Sequence, residues 1–235
     1  MRNYSRRNNT ISFARNLIVK AEPYMKSQVR KPFLLGLIAG DLPTECFQYW
    51  LRVDYPYLHN FVKVCALGMV KASTPEDVDV MLNHVNSVQD EMRDHEKHAK
   101  QLGMSREDLL SYPMGPLKYS YTRHQLASAY DGSLGDTQAA ILACQWGYAE
   151  AVQRLLAEHT LEANNPYAEW WAYHSDPGHR EGLEKAFDLL DRQAAKSTEH
   201  QKQIMADIFM TSVQHETMLW DEYYNMSQWE TYPTE

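Results

Sequence analysis

The chain has 235 residues, 44% of them hydrophobic, and its 23 basic and 31 acidic side chains give a net charge of -8. The acidic balance disfavours a nucleic-acid partner, and the longest apolar runs fall far short of a bilayer span, so neither nucleic-acid binding nor a membrane-spanning fold is expected. The three cysteines form no CxxC pair, which predicts free thiols in a reducing compartment. No secretory signal pattern is found at the N-terminus, so a cytoplasmic protein is expected. The length predicts a single domain over residues 1–235.

The spacing of apolar residues predicts an all-α fold, because no alternating run of β-branched residues is bounded by a hairpin turn. One long helix is predicted from about Pro43 to Ala72, and a second starts at Thr74 or Pro75 and ends at Gly103. Two further long helices follow in the second half of the chain. The expected architecture is one compact helical bundle.

Asp54 lies in the middle of the apolar stripe of the first long helix. An unpaired carboxylate is costly to bury, so this side chain must have a partner. The partner is either another protein group, in a structural ion pair, or the amine or ring nitrogen of a ligand. The residues alone leave both interpretations open.

The third long helix, for which Asp136 is a plausible N-cap, places Cys144 and Tyr148 on one face with apolar residues. A cysteine in such a position is usually inert core packing. Glu216 repeats the pattern of Asp54 on the last helix, on a predicted stripe that also contains Ile204, Ile208, Ser212 and Trp220. Together, one thiol and two carboxylates on core-facing stripes suggest a nucleophile, a substrate anchor and a general acid or base.

A competing pattern lies on the second long helix, where Glu91, His95 and His98 have the spacing of metal ligands. Glu150 and His174 could complete a carboxylate-histidine site suited to non-haem iron. Interleaved basic residues instead favour a solvated, charged helix face with no metal.

Three segments resemble the TenA-type thiaminase II family. The segment from Phe47 to Phe61 reads FQYWLRVDYPYLHNF and is similar to the family motif that contains its pyrimidine-binding aspartate. The segment CQWGYAE, which begins at Cys144, is similar to the run that contains the family nucleophile. Glu216, four residues before Trp220, matches the catalytic glutamate.

The resemblance implies a haem-oxygenase-like helical fold and hydrolysis at the methylene carbon of a 4-aminopyrimidine, which is either thiamin or its aminomethyl degradation product. The product would be 4-amino-5-hydroxymethyl-2-methylpyrimidine. Cys144 and Glu216 would be catalytic, and the substrate would be bound by Asp54, Tyr57, Phe61, Tyr121, Tyr148 and either Tyr173 or His174. The family is typically homotetrameric and uses no metal or other cofactor.

Two alternatives stay open. One is a haem-oxygenase-like iron oxidase whose ligands would be Glu91, His98, Glu150 and His174. The other is a non-catalytic pyrimidine-binding or regulatory protein, since fold alone does not determine function.

Overall fold

The computed structural model describes residues 11–230, and within that range the chain is helical with no strand. The described helices are α1 Phe13–Gln28, α2 Pro32–Ala39, α3 Thr44–Lys71, α4 Pro75–Gln101, α5 Arg106–Ser111, α6 Pro116–Asp131, α7 Leu134–Glu158, α8 Ala168–His174, α9 Pro177–Ala195 and α10 Glu199–Asn225. The all-α prediction is therefore confirmed. The prediction of one domain over 1–235 also includes residues 1–10 and 231–235, which lie outside the described range.

The ends of the long helices follow local capping chemistry. Thr74 caps α4 by accepting a hydrogen bond from the backbone N–H of Asp77, and Gly103 adopts a left-handed φ of 75° just beyond its end. The predicted bounds of α3 and α4 are thus confirmed to within two residues. The predicted cap of α7 is wrong, because Ser133 is the N-cap and Asp136 is the third helical residue, which closes a capping box.

α10 packs against α7, α1 and α6, and α3 packs against α4 and α6. On α10, Ser212, Glu216 and Trp220 are buried as predicted, but Ile204 is 40% exposed. A step of four residues turns about 400° around a helix, so a strict four-residue stripe drifts by about 40° at each step and leaves the buried face. Met205 and Phe209 occupy that face near the start of α10.

α6 has no capping side chain of its own, because Gly115 precedes it. Its first free N–H groups donate instead to the carboxylate of Glu222 on α10, from Leu117 at 2.7 Å and Lys118 at 3.1 Å. A Cβ on Gly115 would lie 2.6 Å from Glu222 Oε1 and against the hydroxyl of Tyr49, so any larger residue would push these two side chains away. The beginning of α6 is therefore fixed by α10.

Among the described helices, none combines the length and the apolar character that a membrane crossing would need.

Candidate active site

Asp54 on α3 is 2% exposed, and each of its carboxylate oxygens contacts a basic side chain. Oδ1 lies 2.5 Å from Lys118 Nζ, and Oδ2 lies 3.0 Å from His95 Nε2. Burial alone would raise the pKa of Asp54, but the charge of Lys118 and the hydrogen bond from His95 outweigh it and lower the pKa to about 2. The prediction that Asp54 must have a partner is confirmed, and both partners are protein groups.

Lys118 is a buried lysine that the sequence pattern did not predict. Its side chain is 2% exposed, and its ammonium group contacts Asp54, donates to the hydroxyl of Tyr223 at 2.7 Å and lies 3.6 Å from the ring centroid of Tyr57. These three neighbours satisfy its three N–H groups. Burial lowers the pKa of Lys118, but the carboxylates of Asp54 and Glu216 outweigh it, so the pKa is raised.

His95 on α4 is fully buried, and both of its ring nitrogens face acceptors. Nδ1 lies 3.0 Å from the carbonyl oxygen of Glu91, and Nε2 lies 3.0 Å from the ionised carboxylate of Asp54. Because neither acceptor can donate, both nitrogens must carry protons, and His95 is an imidazolium. Its raised pKa agrees, since contacts with Asp54 outweigh desolvation. The solvated-face interpretation of α4 is wrong here, although Arg93 and Lys97 do face solvent.

Cys144 on α7 lines a cavity of about 840 Å³ that is walled by α3, α4, α7, α8 and α9. The pKa of its thiol is raised, chiefly by burial and then by the carboxylates of Glu216 and Glu91. The charge of Lys118 and the hydroxyl of Tyr57 lower it in part. A thiol in such a place needs a base before it can attack as a thiolate.

Glu216 on α10 is the group best placed to supply that base. It is 3% exposed, and burial raises its pKa to about 7, although Lys118, the Tyr121 hydroxyl and the Cys144 thiol each lower it in part. Glu216 Oε1 has no hydrogen-bond partner among the described residues. A carboxyl group that titrates near neutral pH beside a thiol can take up and return its proton.

The predicted aromatic residues surround these groups in two layers. Tyr57 stacks on Tyr121 with ring centroids 5.6 Å apart, and Phe61 lies 6.0 Å from Tyr57. Tyr148 accepts a hydrogen bond from the indole of Trp50 at 3.3 Å. The cavity wall holds Cys144, Phe61, Tyr148, Tyr173 and His174, while Asp54, Tyr57, Tyr121 and Glu216 form the buried layer behind it.

Tyr173 and His174 both line the cavity, at different depths. His174 is 8% exposed and packs against Trp170 at 4.3 Å and Tyr148 at 5.1 Å. Burial lowers its pKa well below the usual value, so the ring is neutral. The hydroxyl of Tyr173 donates to the carbonyl of Ser87, farther out, at 3.4 Å. His174 therefore takes the inner position.

The ligand set of the iron-oxidase alternative does not converge, so that prediction is wrong. Glu150 accepts a hydrogen bond from Arg154 at 2.7 Å, on a part of α7 that faces Glu22 of α1. His98 lies 3.2 Å from Asp94 and packs edge-on against Phe47. Glu150 lies six positions after Cys144 on α7, which corresponds to about 600° of rotation around the helix axis. The side chain of Glu150 therefore points away from the face of α7 that lines the cavity.

The carboxylates and imidazole that do cluster are Asp54, Glu91 and His95, whose ligand atoms lie within 4.8 Å of one another. The ammonium group of Lys118 already lies 2.5 Å from Asp54, and His95 is protonated on the nitrogen that faces the cluster. A metal ion would have to displace one cation and deprotonate the other, so these residues do not fit a metal.

The sequence model of the TENA/THI-4/PQQC family matches residues 18–226 of the chain. The aminopyrimidine aminohydrolase of Halalkalibacterium halodurans is 30% identical over 93% of this chain and 98% of its own length. A crystal structure described as a TenA family transcription regulator, from Silicibacter sp. TM1040, superposes with a TM-score of 0.82 at 27% identity, over 90% of this chain and 96% of its own. A Shewanella denitrificans domain with a heme oxygenase-like fold superposes with a TM-score of 0.67 at 12% identity, over 90% of each chain. The predicted haem-oxygenase-like fold is therefore confirmed.

Proposed function

The chain belongs to the TENA/THI-4/PQQC family, and from this membership and the geometry of its site we propose that it is an aminopyrimidine aminohydrolase that uses Cys144 as its nucleophile. The observation that carries the proposal is the convergence of three side chains from α7, α10 and α3: Cys144 lines the aromatic-walled cavity, and Glu216 and Asp54 lie in the buried layer behind it. The reaction is hydrolysis, as in the relatives of that name.

In the proposed reaction, Asp54 accepts a hydrogen bond from the amino group of the pyrimidine, and Tyr121 and Tyr148 orient the ring and the thiol. The sulfur of Cys144 adds to a ring carbon as its proton passes to Glu216. The leaving group departs from the methylene carbon with that proton. Water then adds to the methylene, Glu216 takes one of its protons, and loss of the thiolate restores the aromatic ring.

The cavity has room for more than the pyrimidine ring. Its volume of about 840 Å³ lies in the upper part of the range for small-molecule sites, and its wall continues from Cys144 outward to Lys185 of α9. A leaving group on the methylene would extend into this outer part. The cavity therefore suits both thiamin and its aminomethyl degradation product.

The pH dependence of activity tests the role of Glu216. Ionised Glu216 must accept the thiol proton, so activity is expected to fall as the pH drops below about 7, the pKa of Glu216. Glu216→Gln is expected to lower kcat about 100-fold and to abolish this acidic limb. The measurement is kcat against pH for both proteins.

Glu91→Gln is the matched control, because the pKa of Glu91 is also raised to about 7, by burial and by Asp54, and its side chain lines the same cavity. The acidic limb should survive in this variant. Loss of the limb in Glu91→Gln, with its retention in Glu216→Gln, would show that the base has been assigned to the wrong carboxylate.

We propose further that the reaction needs no metal or other cofactor. Support comes from the failure of the iron-oxidase ligands to converge and from the cations already held by the Asp54 cluster. Activity is expected to survive dialysis against a chelator, and Glu150→Ala is expected to change kcat less than about twofold. Chelator-sensitive activity restored by added iron would contradict this.

The resemblance to the TenA-type thiaminase II family also supports a homotetramer that acts in the cytoplasm, and both statements are part of the proposal. Hydrolysis by the wild-type protein would also rule out a purely pyrimidine-binding or regulatory function. The acidic net charge of -8 supports this preference, since a direct regulator of transcription must bind a polyanion.

A further inference from the structure

The carboxylate that would recognise the pyrimidine is already paired at both oxygens. Lys118 Nζ lies 2.5 Å from Oδ1 of Asp54, and the imidazolium of His95 lies 3.0 Å from Oδ2. Each carboxylate oxygen has two acceptor positions, so Asp54 can still accept a hydrogen bond from an amino group. It no longer offers an uncompensated negative charge.

The charge state of Asp54 matters because a 4-aminopyrimidine ring exists in two forms, a neutral base and a ring-protonated cation. A lone buried carboxylate would attract the cation strongly, since charges interact strongly where water is excluded. The imidazolium of His95 balances this negative charge, and the ammonium group of Lys118 makes the cluster net positive, which reverses the preference. That ammonium group is held by Asp54, Tyr223 and the face of Tyr57, so it cannot turn away to admit a second cation.

The remaining charged groups around the pair are few. Glu91 of α4 and Glu216 of α10 face it, and each gains a proton as the pH falls through about 7, which makes the site less negative under acidic conditions. Glu222 of α10 accepts a hydrogen bond from the backbone N–H of Lys118, and burial raises its pKa as well. The other titratable neighbours, supplied by α3, α6, α7, α8 and α10, are all uncharged near neutral pH: Tyr57, Tyr121, Cys144, Tyr148, His174 and Tyr223. No neighbour supplies a charge that would favour a cationic ring as the pH falls.

We propose that the buried pair of Lys118 with Asp54 makes this site selective for the uncharged form of the aminopyrimidine ring. Lys118 is thus a specificity-determining residue, which acts through Asp54. This inference rests on the proposed function.

The test is calorimetric binding of 4-amino-5-hydroxymethyl-2-methylpyrimidine over a pH series that spans the pKa of its ring. If the wild-type protein selects the neutral ring, the apparent Kd should rise about tenfold for each pH unit below that pKa. In Lys118→Met the site loses one positive charge, so the slope should fall below half of its wild-type value or change sign. Lys118→Arg, which keeps the charge, should keep most of the slope.

Two controls separate the effect of protonating the ligand ring from the other effects of pH and of losing a lysine. A benzene analogue with CH in place of both ring nitrogens and a hydroxyl in place of the amino group gains no proton over this pH range, so its affinity reports the titration of the protein's carboxyl groups alone and is subtracted. Lys31→Met removes a half-buried lysine whose partner is Asp221, and it should leave the slope unchanged.

The wild-type series can overturn the inference even if Lys118→Met does not fold. An affinity that stays constant or increases as the ring is protonated would overturn the inference, and so would retention of more than half of the slope in a folded Lys118→Met. If the folded wild-type protein neither binds the pyrimidine at any pH nor hydrolyses its aminomethyl precursor, the proposed function itself fails, and the inference fails with it. Hydrolysis together with tighter binding of the cation would reject the inference alone.

Discussion

Replacement of Cys144 by alanine is expected to lower kcat for pyrimidine hydrolysis by at least about 1000-fold, equivalent to about 4 kcal/mol of transition-state stabilisation. The proposed reaction has no path without addition of the thiol to the ring, and no other cysteine lines the cavity. The measurement is release of the hydroxymethylpyrimidine under saturating substrate. Affinity for the product should change much less, because the ring is recognised by Asp54 and the aromatic residues.

Cys46→Ala is the matched control. The Cys46 thiol is buried and donates only to the carbonyl of Tyr224 at 3.3 Å, so its loss should leave kcat within about twofold. Far-UV circular dichroism and Tm of the Cys144 variant should match the wild type, because the side chain is small and lies at a cavity wall. Full activity of a folded Cys144→Ala protein would eliminate covalent catalysis by this residue.

The second large effect concerns stability. Asp54→Asn keeps the size of the side chain but removes the negative charge between Lys118 and His95, and leaves two cations facing each other in the core. Breaking a buried pair from one side typically lowers the free energy of unfolding by about 3–5 kcal/mol. Urea unfolding followed by circular dichroism at neutral pH would measure the loss, and hydrolysis should be abolished as well.

A double variant separates charge from packing. Asp54→Asn combined with Lys118→Met removes both members of the pair, so about 1–3 kcal/mol of the lost stability should return while the activity does not. Asp221→Asn, which breaks the half-exposed pair with Lys31, should cost less than about 1 kcal/mol. A double variant no more stable than Asp54→Asn alone would show that the loss does not come from unpaired charge.

The sequence predicted the helices and three of the polar residues for a common physical reason. Asp54, Cys144 and Glu216 each interrupt a regular apolar stripe, and an interruption of that kind is visible without coordinates. The need of Asp54 for a partner followed from the cost of burying a charge. The identity of the partner did not follow, because Asp54 and Lys118 are 64 positions apart on helices whose packing the sequence does not reveal.

Lys118 escaped prediction because lysine is rarely buried and its helix has no clear apolar face. The available signal was its position three residues before Tyr121 and four before Thr122, which are also fully buried on α6. The burial of His95 was not predicted because its neighbours in sequence, Arg93 and Lys97, are charged. Both lie on the opposite side of α4. Glu150 was wrongly predicted as a metal ligand because helical spacing gives the direction of a side chain only relative to its own helix. In the structure, α7 turns Glu150 toward α1.

The contact of Glu222 with the start of α6 has a consequence for the order in which the protein is made. Lys118 and its hydroxyl partner Tyr223 are 105 positions apart, as are Leu117 and the carboxylate that caps it. A ribosome that has synthesised the chain through α9 therefore carries a chain in which α6 has no cap and Lys118 lacks one of its partners. Contacts over such a distance form late, so the site is expected to become competent only when the last helix emerges and docks.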